Sequence, residues 1–366
     1  RAAVGDRPND RLQDRAIRHA IYLDRYASTV TKEVLGYLNT EVYPELLAKL
    51  QARLERIRLR GFDSGFETTK TYLKMLDDLS AVLEDGHREA AKRLRAIVRE
   101  LAKVEARWQE AAILDSVPAD ARALIAPPER VNLAVVQAIV HRPMQGKVDS
   151  EWWGELTTKT RDRLQAQIGL GLSLSETQDQ IIRRVRGTQA NGYRDGVLEA
   201  SRAQAAAVVR TTTANVSAQA REETYRSMSN VVKGVQWVAT LDTKTCPVCG
   251  PRDGQVYDLE DPKQPRPPAH WNCRCTTAPV LKSYRELARM KPRAAAEVSE
   301  GTRASMDGQV PDAVSWSDWV DRQSAGRQDE IFGAARARLY RAGRVDAKDL
   351  ATRTGRIRTV AELERL

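Results

Sequence analysis

The first part of the chain, to about residue 126, repeats apolar residues at spacings of three and four. This is the period of an amphipathic α-helix, so each repeat places its apolar side chains on one helix face. We therefore predict long helices that pack against one another, with turns at residues 61–65 and at Asp85-Gly86. A helical core explains the repeats better than a cofactor site does. The three apolar stripes are Leu47, Leu50, Leu54 and Ile57; Tyr72, Leu76, Leu79 and Leu83; and Leu94, Ile97, Leu101, Val104 and Trp108.

The helical pattern is interrupted at residues 126–128 and again at 141–150, where proline and glycine occur. A tryptophan pair then begins a helical stretch over about 152–168, and an alanine-rich helix is predicted over about 198–228. Residues 232–242 change to a period of two around a central tryptophan, which predicts a β-strand. The sequence therefore indicates a small strand-containing element that follows a mostly helical scaffold.

A short helix is predicted between these two longer ones, and it ends at Gly187. Ser175 followed three residues later by Gln178 fits a capping box at its start. Ser173 followed by Glu176 fits the same motif and competes with it. The pattern therefore locates the helix but leaves two candidate starting points.

The C-terminal segment combines two predicted helices with many arginines. Trp316 and Trp319 are three residues apart and therefore lie on one face of a helix. Residues 331–345 predict a second helix, which ends near Gly343. Beyond residue 335 basic side chains outnumber acidic ones, which suggests contact with a polyanion, although a solvated helix face explains them as well. The candidate nucleic-acid residues are Arg336, Arg338, Arg341, Arg344, Arg356 and Arg358.

These patterns predict a mainly α fold with three parts. Residues 1–128 form a bundle of long helices or an oligomerisation region. Residues 129–290 form an α+β core domain with a strand-and-loop element at 242–280. This element contains all four cysteines and His270, donors that one zinc ion could staple together. Residues 291–366 form a linker and a basic helical tail.

Composition narrows the class of protein. The formal net charge is +10 in 366 residues, but it is spread along the chain, so it indicates a solvated surface or sequence-independent contact with a polyanion. No run of eighteen apolar residues occurs, so no membrane span is expected. The first residues do not have the layout of a signal peptide. All four cysteines lie in one short segment, unlike the dispersed cysteines of a secreted disulfide scaffold, which indicates a metal site in a reducing compartment.

That segment offers five metal donors where a structural zinc site needs four. Cys246 and Cys249 have the spacing at which two thiolates bind one ion from a tight turn, and His270, Cys273 and Cys275 follow after twenty residues. An all-thiolate site and a mixed site that includes His270 both remain open, and we prefer the mixed one. Free thiols or a disulfide are the alternative to a metal.

A closed, structural zinc site is the preferred interpretation over a catalytic one. The chain has no H-E-x-x-H motif, and its other three histidines are distant in sequence. Asp253 is close by, but Asp253-Gly254 is more typical of a turn than of a catalytic base. A redox role for the C-x-x-C pair would require a thioredoxin-like context, which the sequence lacks.

The residues of this segment resemble the signature of the phage minor head proteins, the head morphogenesis family typified by the F protein of phage Mu. The usual form ends in H-P-N-C-R-C, and Trp271 replaces its proline here. Arg210-Thr211-Thr212 occupies the place where the family often has Arg-Thr-Glu. The similarity extends over about 135–366. The motif in this chain is Asp242-x2-Thr245-Cys246-Pro247-x-Cys249, then Asp253-Gly254, then Pro268-x-His270-Trp271-Asn272-Cys273-Arg274-Cys275.

The resemblance implies a low-copy structural protein of the virion, inside the head near the portal vertex, that aids head assembly and genome packaging or ejection. Its expected partners are the portal and major capsid proteins and, without sequence preference, genome DNA. The N-terminal stripes would suit self-association. The protein would occupy the host cytoplasm during assembly. The alternatives are a zinc-dependent nuclease or hydrolase acting on DNA or the cell envelope, and a cellular zinc-ribbon DNA-binding protein.

Overall fold

The computed structural model describes residues 8–60, 65–117, 135, 138–282, 302–306, 308–311, 314–352 and 356–366. These residues are mainly helical and include a small three-stranded antiparallel sheet, which confirms the predicted fold class. Within this part of the chain, no helix is long and apolar enough to cross a membrane.

Three long helices begin the fold. They are α1 (Pro8–Tyr37), α2 (Tyr43–Arg60) and α3 (Gly65–Ser116). A π-helical turn, Leu38–Val42, connects α1 to α2. It directly precedes Pro44, which has no N–H to donate to the preceding turn, so the widened turn absorbs the break without ending the helical path.

The turn predicted at Asp85-Gly86 was wrong, because α3 runs through both residues. Gly86 is required by packing: a Cβ built on it would lie 2.5 Å from Cγ1 of Val42. The glycine thus permits close packing against Val42. In the sequence alone, the Asp-Gly pair is typical of a turn, which explains the wrong prediction. Residues 61–64 of the other predicted turn lie outside the described part of the chain.

Most of the predicted stripes are buried, including Leu50, Leu54, Leu79, Leu83 and Leu94. The third stripe is wrong at one position. Val104 is 57% exposed, and its neighbour Glu105 is fully buried instead. The helix therefore turns a carboxylate, and not the valine, toward its partners.

Among the described residues, three further α-helices precede the sheet: α4 (Asp149–Ser173), α5 (Gln178–Arg186) and α6 (Val197–Ser227). Both capping predictions for α5 were wrong. The N-cap is Thr177, whose side chain accepts from the N–H of Gln180 while Gln180 Oε1 accepts from the N–H of Thr177 at 2.7 Å. Ser175 has φ +54°, whereas an N-cap residue requires an extended backbone, so it cannot start the helix.

The sheet contains β1 (Val232–Val238), β2 (Val256–Asp258) and β3 (Thr276–Leu281) in the order β2-β1-β3, all antiparallel. β1 confirms the strand predicted from residue 232, although it ends at Val238. Trp237 pairs with Thr277 in the central register and is fully buried. A separate hairpin is formed by β4 (Thr302–Ser305) and β5 (Gly308–Pro311).

The C-terminal residues form four short helices: α7 (Trp316–Asp321), α8 (Ala325–Phe332), α9 (Ala334–Arg341) and α10 (Val360–Leu363). Trp316 and Trp319 are both buried on one face, as predicted. The predicted helix end near Gly343 agrees with α9, but the continuous helix predicted from Ile331 was wrong. Gly333 adopts φ +80°, outside the helical region, and separates α8 from α9.

The chain divides into two compact units. The knuckle unit contains described residues of 1–25, 101–139 and 214–366, and the helical unit contains those of 26–100 and 140–213. The boundaries predicted from the sequence, at 128 and 290, fall outside the described residues. The three-part division therefore stays a prediction.

Candidate metal centre

The five predicted donors lie together at one end of the three-stranded sheet. Cys246 and Cys249 belong to a tight turn beyond β1, in which the N–H groups of Cys249 and Gly250 donate to the carbonyl of Cys246 at 3.1 and 3.0 Å. His270, Cys273 and Cys275 precede β3 directly, and the N–H of Cys273 donates to the carbonyl of His270. Because β1 and β3 pair antiparallel, the end of one strand meets the start of the other.

The donor atoms are close enough to share one ion. Those of Cys246, Cys249 and His270 lie within 4.8 Å of one another, and so do those of Cys249, Cys273 and Cys275. The Sγ atoms of Cys249 and Cys273 are 3.9 Å apart. Two thiolates of a tetrahedral zinc site, each about 2.3 Å from the ion, would be about 3.8 Å apart. All four cysteines are free thiols, so no disulfide forms, and the cluster could hold a metal ion.

The imidazole of His270 is oriented for coordination. Its Nδ1 lies 2.9 Å from the carbonyl oxygen of Trp271, and a nitrogen facing a carbonyl can only donate. In the neutral ring the proton is then on Nδ1, which leaves the Nε2 lone pair available to a metal. Such a hydrogen bond to a backbone carbonyl is the usual way in which a ligating histidine is fixed in one tautomer.

The donors perturb one another strongly. The neighbouring Cys249 thiol and His270 lower the pKa of Cys246 to about 4. Hydrogen bonding to Cys246 and Cys273 raises the pKa of His270 to about 11, against the opposing effect of burial. Hydrogen bonds from Cys249 and Cys275 also hold the pKa of Cys273 well below its usual range. The pKa of Cys249 is raised instead, by hydrogen bonding to Cys246, and the pKa of Cys275 is raised as well. Two of the four thiols and the imidazole therefore keep a proton that a bound cation would displace.

An ion pair holds the two halves of the cluster together. Arg274, between two of the cysteines, makes a bidentate contact with Asp242, with both N–O distances at 2.6 Å. Asp242 Oδ1 also accepts from the N–H of Lys244 at 3.0 Å, which shapes the turn leading to Cys246. A bidentate guanidinium–carboxylate pair fixes geometry as well as charge. The motif residues other than the donors therefore serve to position them.

Asp253 has a structural part in this structure. Its Oδ1 accepts from the N–H of Ala239 at 2.8 Å, just beyond β1, and its Oδ2 accepts from the N–H of Trp316 at 2.9 Å, at the start of α7. Gly254 follows with φ +76°, so the predicted turn is present. Each carboxylate oxygen thus accepts one backbone N–H, and Asp253 connects its own turn to the end of β1 and to the start of α7.

Two tryptophans surround the cluster, and sequence reasoning did not assign either of them to it. Trp237 packs against Cys249 and Cys273 in one hydrophobic cluster. Trp316 lies so close to Gly250 that a Cβ there would be 2.3 Å from the indole ring. The glycine directly after Cys249 could have indicated that another group packs closely there. The neighbouring residues in the sequence do not show that this group is Trp316.

The candidate nucleic-acid arginines are largely engaged within the tail. Arg341 contacts Asp329 at 2.9 Å and Arg356 contacts Glu362 at 2.7 Å. Arg336 and Arg358 donate to the backbone carbonyls of Arg358 and Asp349. Arg338 and Arg344 are exposed and have no recorded partner among the residues that the structure describes. A role in DNA contact stays a prediction for all six.

Comparison with known proteins adds one finding. Residues 155–278 match the family described as Phage Mu protein F like protein. The match confirms the resemblance seen in the cysteine motif and is consistent with a phage head morphogenesis protein. It includes all five donors but ends before the tail, so it is shorter than the span over which the sequence suggested similarity. No curated protein and no solved structure matches the chain.

Proposed function

We propose that this protein is a structural minor head protein of a tailed bacteriophage, located inside the head near the portal. There it aids head assembly and genome packaging or ejection. The observation that carries the proposal is that the family-matched segment contains a Cys/His cluster whose neighbours Asp242, Arg274 and Asp253 hold the turn and strands around it. The portal and major capsid proteins are its proposed partners, and its net charge of +10 suits contact with genome DNA.

We further propose that the ion is zinc. Thiolate and imidazole donors in a four-ligand arrangement are the set that selects zinc. The preferred ligands are Cys246, Cys249, His270 and Cys273. Cys249 is close to both other pairs of donors, and His270 interacts with both Cys246 and Cys273. Cys275 is then the donor left over. The ion would supply folding free energy, on the order of 10 kcal/mol in small zinc modules, to a segment with few apolar residues.

The same contacts favour a structural role over the hydrolase alternative. A hydrolytic zinc keeps a position open for water and has a carboxylate or histidine nearby as base. Here both oxygens of Asp253 accept backbone N–H groups, and Asp258 and Asp261 each accept from a backbone N–H two residues further on. These nearby carboxylates thus act as turn-forming groups.

Metal analysis of the purified full-length chain tests this proposal. We expect one zinc per chain, X-ray absorption showing three sulfur ligands and one nitrogen ligand, and loss of the metal in Cys246→Ser. Cys275→Ser is the matched comparison and should retain the metal. An ion with an oxygen ligand from water, together with chelator-sensitive cleavage of DNA or peptidoglycan, would favour the enzyme. A map of the intact particle that locates the chain away from the portal vertex would refute the proposed position.

A further inference from the structure

The helical unit contains a polar cavity of about 550 Å³, far in sequence from the cysteines. Its walls come from α4, from α5, and from the loop 187–196 that leads into α6. Three arginines line it: Arg163 from α4, and Arg183 and Arg184 from α5. A cavity of this volume is in the range of sites that admit a nucleotide-sized group.

One of the three arginines is a fixed part of the wall. Arg184 makes a bidentate ion pair with Glu176, with Nε 2.6 Å from Oε2, and its Nη1 donates to Gln167 Oε1 at 3.1 Å. This pair neutralises one of the two carboxylates of the cavity. Arg184 therefore positions the wall and is not available for a ligand.

The other two arginines retain their charge. Arg163 donates to the amide oxygen of Gln204 at 3.2 Å and has no carboxylate partner among the described residues. Arg183 is exposed, and no partner of its side chain is recorded in the part of the chain that the structure describes. Two guanidinium groups thus face the cavity with N–H donors to spare.

The remaining carboxylate, Asp195, is directed into its own loop. It accepts from the N–H of Thr188 at 2.8 Å, from the Thr188 hydroxyl at 2.7 Å and from Asn191 Nδ2 at 2.9 Å. These three donors occupy most of the acceptor positions of its oxygens. Its charge still counts, so three arginines and two carboxylates give the lining side chains a net charge of +1. The N-terminal end of α6 begins beside it at Val197, on the cavity wall, and adds the positive end of a long helix dipole.

Two glycines make this loop a rigid part of the cavity. Gly187 has φ +95°, and a Cβ on it would lie 2.6 Å from the carbonyl oxygen of Tyr193. A Cβ on Gly196 would lie 2.4 Å from the backbone carbon of Arg186. The loop therefore crosses itself in backbone contact, which brings the start of α6 against the end of α5 and keeps the cavity open without a ligand.

We propose that this cavity binds a phosphate group of a polynucleotide, with Arg163 and Arg183 as the phosphate-contacting residues. Guanidinium groups match phosphate oxygens in geometry and charge, and two of them without a carboxylate partner, beside a helix N-terminus, suit an anion. The identification of the polynucleotide as genome DNA rests on the proposed function. The main DNA contact would then lie in the family-matched segment rather than in the tail.

The test measures binding of a fluorescent DNA duplex to the full-length chain over about 50 to 200 mM salt. Arg163→Gln/Arg183→Gln should weaken binding by about tenfold at low salt and lower the salt slope by one to two. The control is Arg56→Gln/Arg161→Gln, which removes the same number of charges from exposed positions of α2 and α4 but none from the cavity. Inorganic phosphate and ADP are titrated separately, to distinguish a free phosphate from a polynucleotide as the source of the ligand.

Loss of DNA binding in the cavity variant, with the control near wild type, supports the proposal. Equal loss in both variants would mean a diffuse positive surface and would overturn it. Unchanged DNA binding in the cavity variant would overturn it as well, even if phosphate or ADP bound the wild type, because the ligand would then be a free phosphate compound. None of these results affects the metal content or the position in the particle, so the cavity can fail while the proposed function stands.

Discussion

Glu105 is a fully buried carboxylate in the knuckle unit, and we predict that its neutralisation destabilises the protein severely. Oε2 lies 2.5 Å from Nε2 of His19, and Oε1 lies 3.3 Å from Nε of Arg221 and accepts from Gln109 at 2.9 Å. Arg221 also donates to Thr276, at the start of β3 and next to Cys275. The carboxylate is therefore the common partner of three helices, and it reaches the strand that bears the cluster.

The magnitude follows from the burial of both charges. The side chains of Arg221 and Glu105 are 4% and 0% exposed. At 3.3 Å and an effective dielectric constant near 20, their attraction is about 5 kcal/mol. Glu105→Gln leaves the guanidinium buried without a countercharge, a change that typically costs about 3–5 kcal/mol. Burial alone would raise the pKa of Glu105, but His19 and Arg221 outweigh it and lower that pKa. This part of the stability is present above the unfolded pKa, about 4.3 for glutamate, and is lost as the pH falls through the lowered folded value.

The assay is urea denaturation at pH 7, followed by circular dichroism. Glu84→Gln, at an exposed position of the same helix, is the control and should change the free energy of unfolding by less than about 0.5 kcal/mol. Glu105→Leu combined with Arg221→Met should be less destabilised than either single change, because no buried charge is then left unpaired. A Glu105→Gln variant within about 1 kcal/mol of wild type, or strictly additive effects in the double variant, would refute the reasoning.

Two further predictions concern packing and pH. Gly250→Ala should lower the free energy of unfolding by about 1–3 kcal/mol in denaturant titration, because the added Cβ would overlap the Trp316 ring. Gly326→Ala is the control and should be neutral or stabilising, because the space around Gly326 is open. Equal effects of the two substitutions would contradict the contact between Gly250 and Trp316. Burial raises the pKa of Asp149 to about 6, although Arg95 opposes the shift. Between about pH 4 and 6 the folded state therefore binds more protons than the unfolded state. The stability of the wild type then falls as the pH rises through that window. Asp149→Asn should remove that slope and gain stability relative to wild type across this window, reaching about 3 kcal/mol at about pH 7. A difference that stays constant with pH would show that the carboxyl does not titrate there.

The cysteine cluster could be predicted from the sequence because its information is local. The spacing of Cys246 and Cys249 defines a turn, and the candidate donors His270, Cys273 and Cys275 lie in the only other short run of the sequence that contains cysteine. The three-stranded sheet was partly visible for the same reason, since β1 has a clear period of two. Where neighbouring residues alone determine the structure, the sequence is sufficient.

The misses share a different cause, which is contact between residues distant in sequence. At Gly86 a Cβ would overlap the side chain of Val42, and at Gly250 a Cβ would overlap the ring of Trp316, so each site requires glycine. Periodicity assigned Val104 to a buried face and overlooked Glu105, because no hydropathy pattern anticipates that His19 and Arg221 will compensate a buried carboxylate. The cavity around Arg163 and Arg183 could not be predicted for the same reason. The arginines of α4 and α5 are typical of exposed basic helices, and only the folded loop 187–196 completes the cavity between them.

The contacts of Asp253 and Gly250 also have a consequence for how relatives of this protein are recognised. Asp253 and Gly250 attach the start of α7 to the turn of the cysteine cluster through one hydrogen bond and one ring contact. The attachment does not depend on how many residues connect β3 to α7. Insertions and deletions in that connection can therefore accumulate during evolution while the attachment is retained. A profile that joins the cysteine motif to a downstream tryptophan, with a gap of variable length between them, should detect divergent homologues that a fixed-length alignment ending at β3 overlooks.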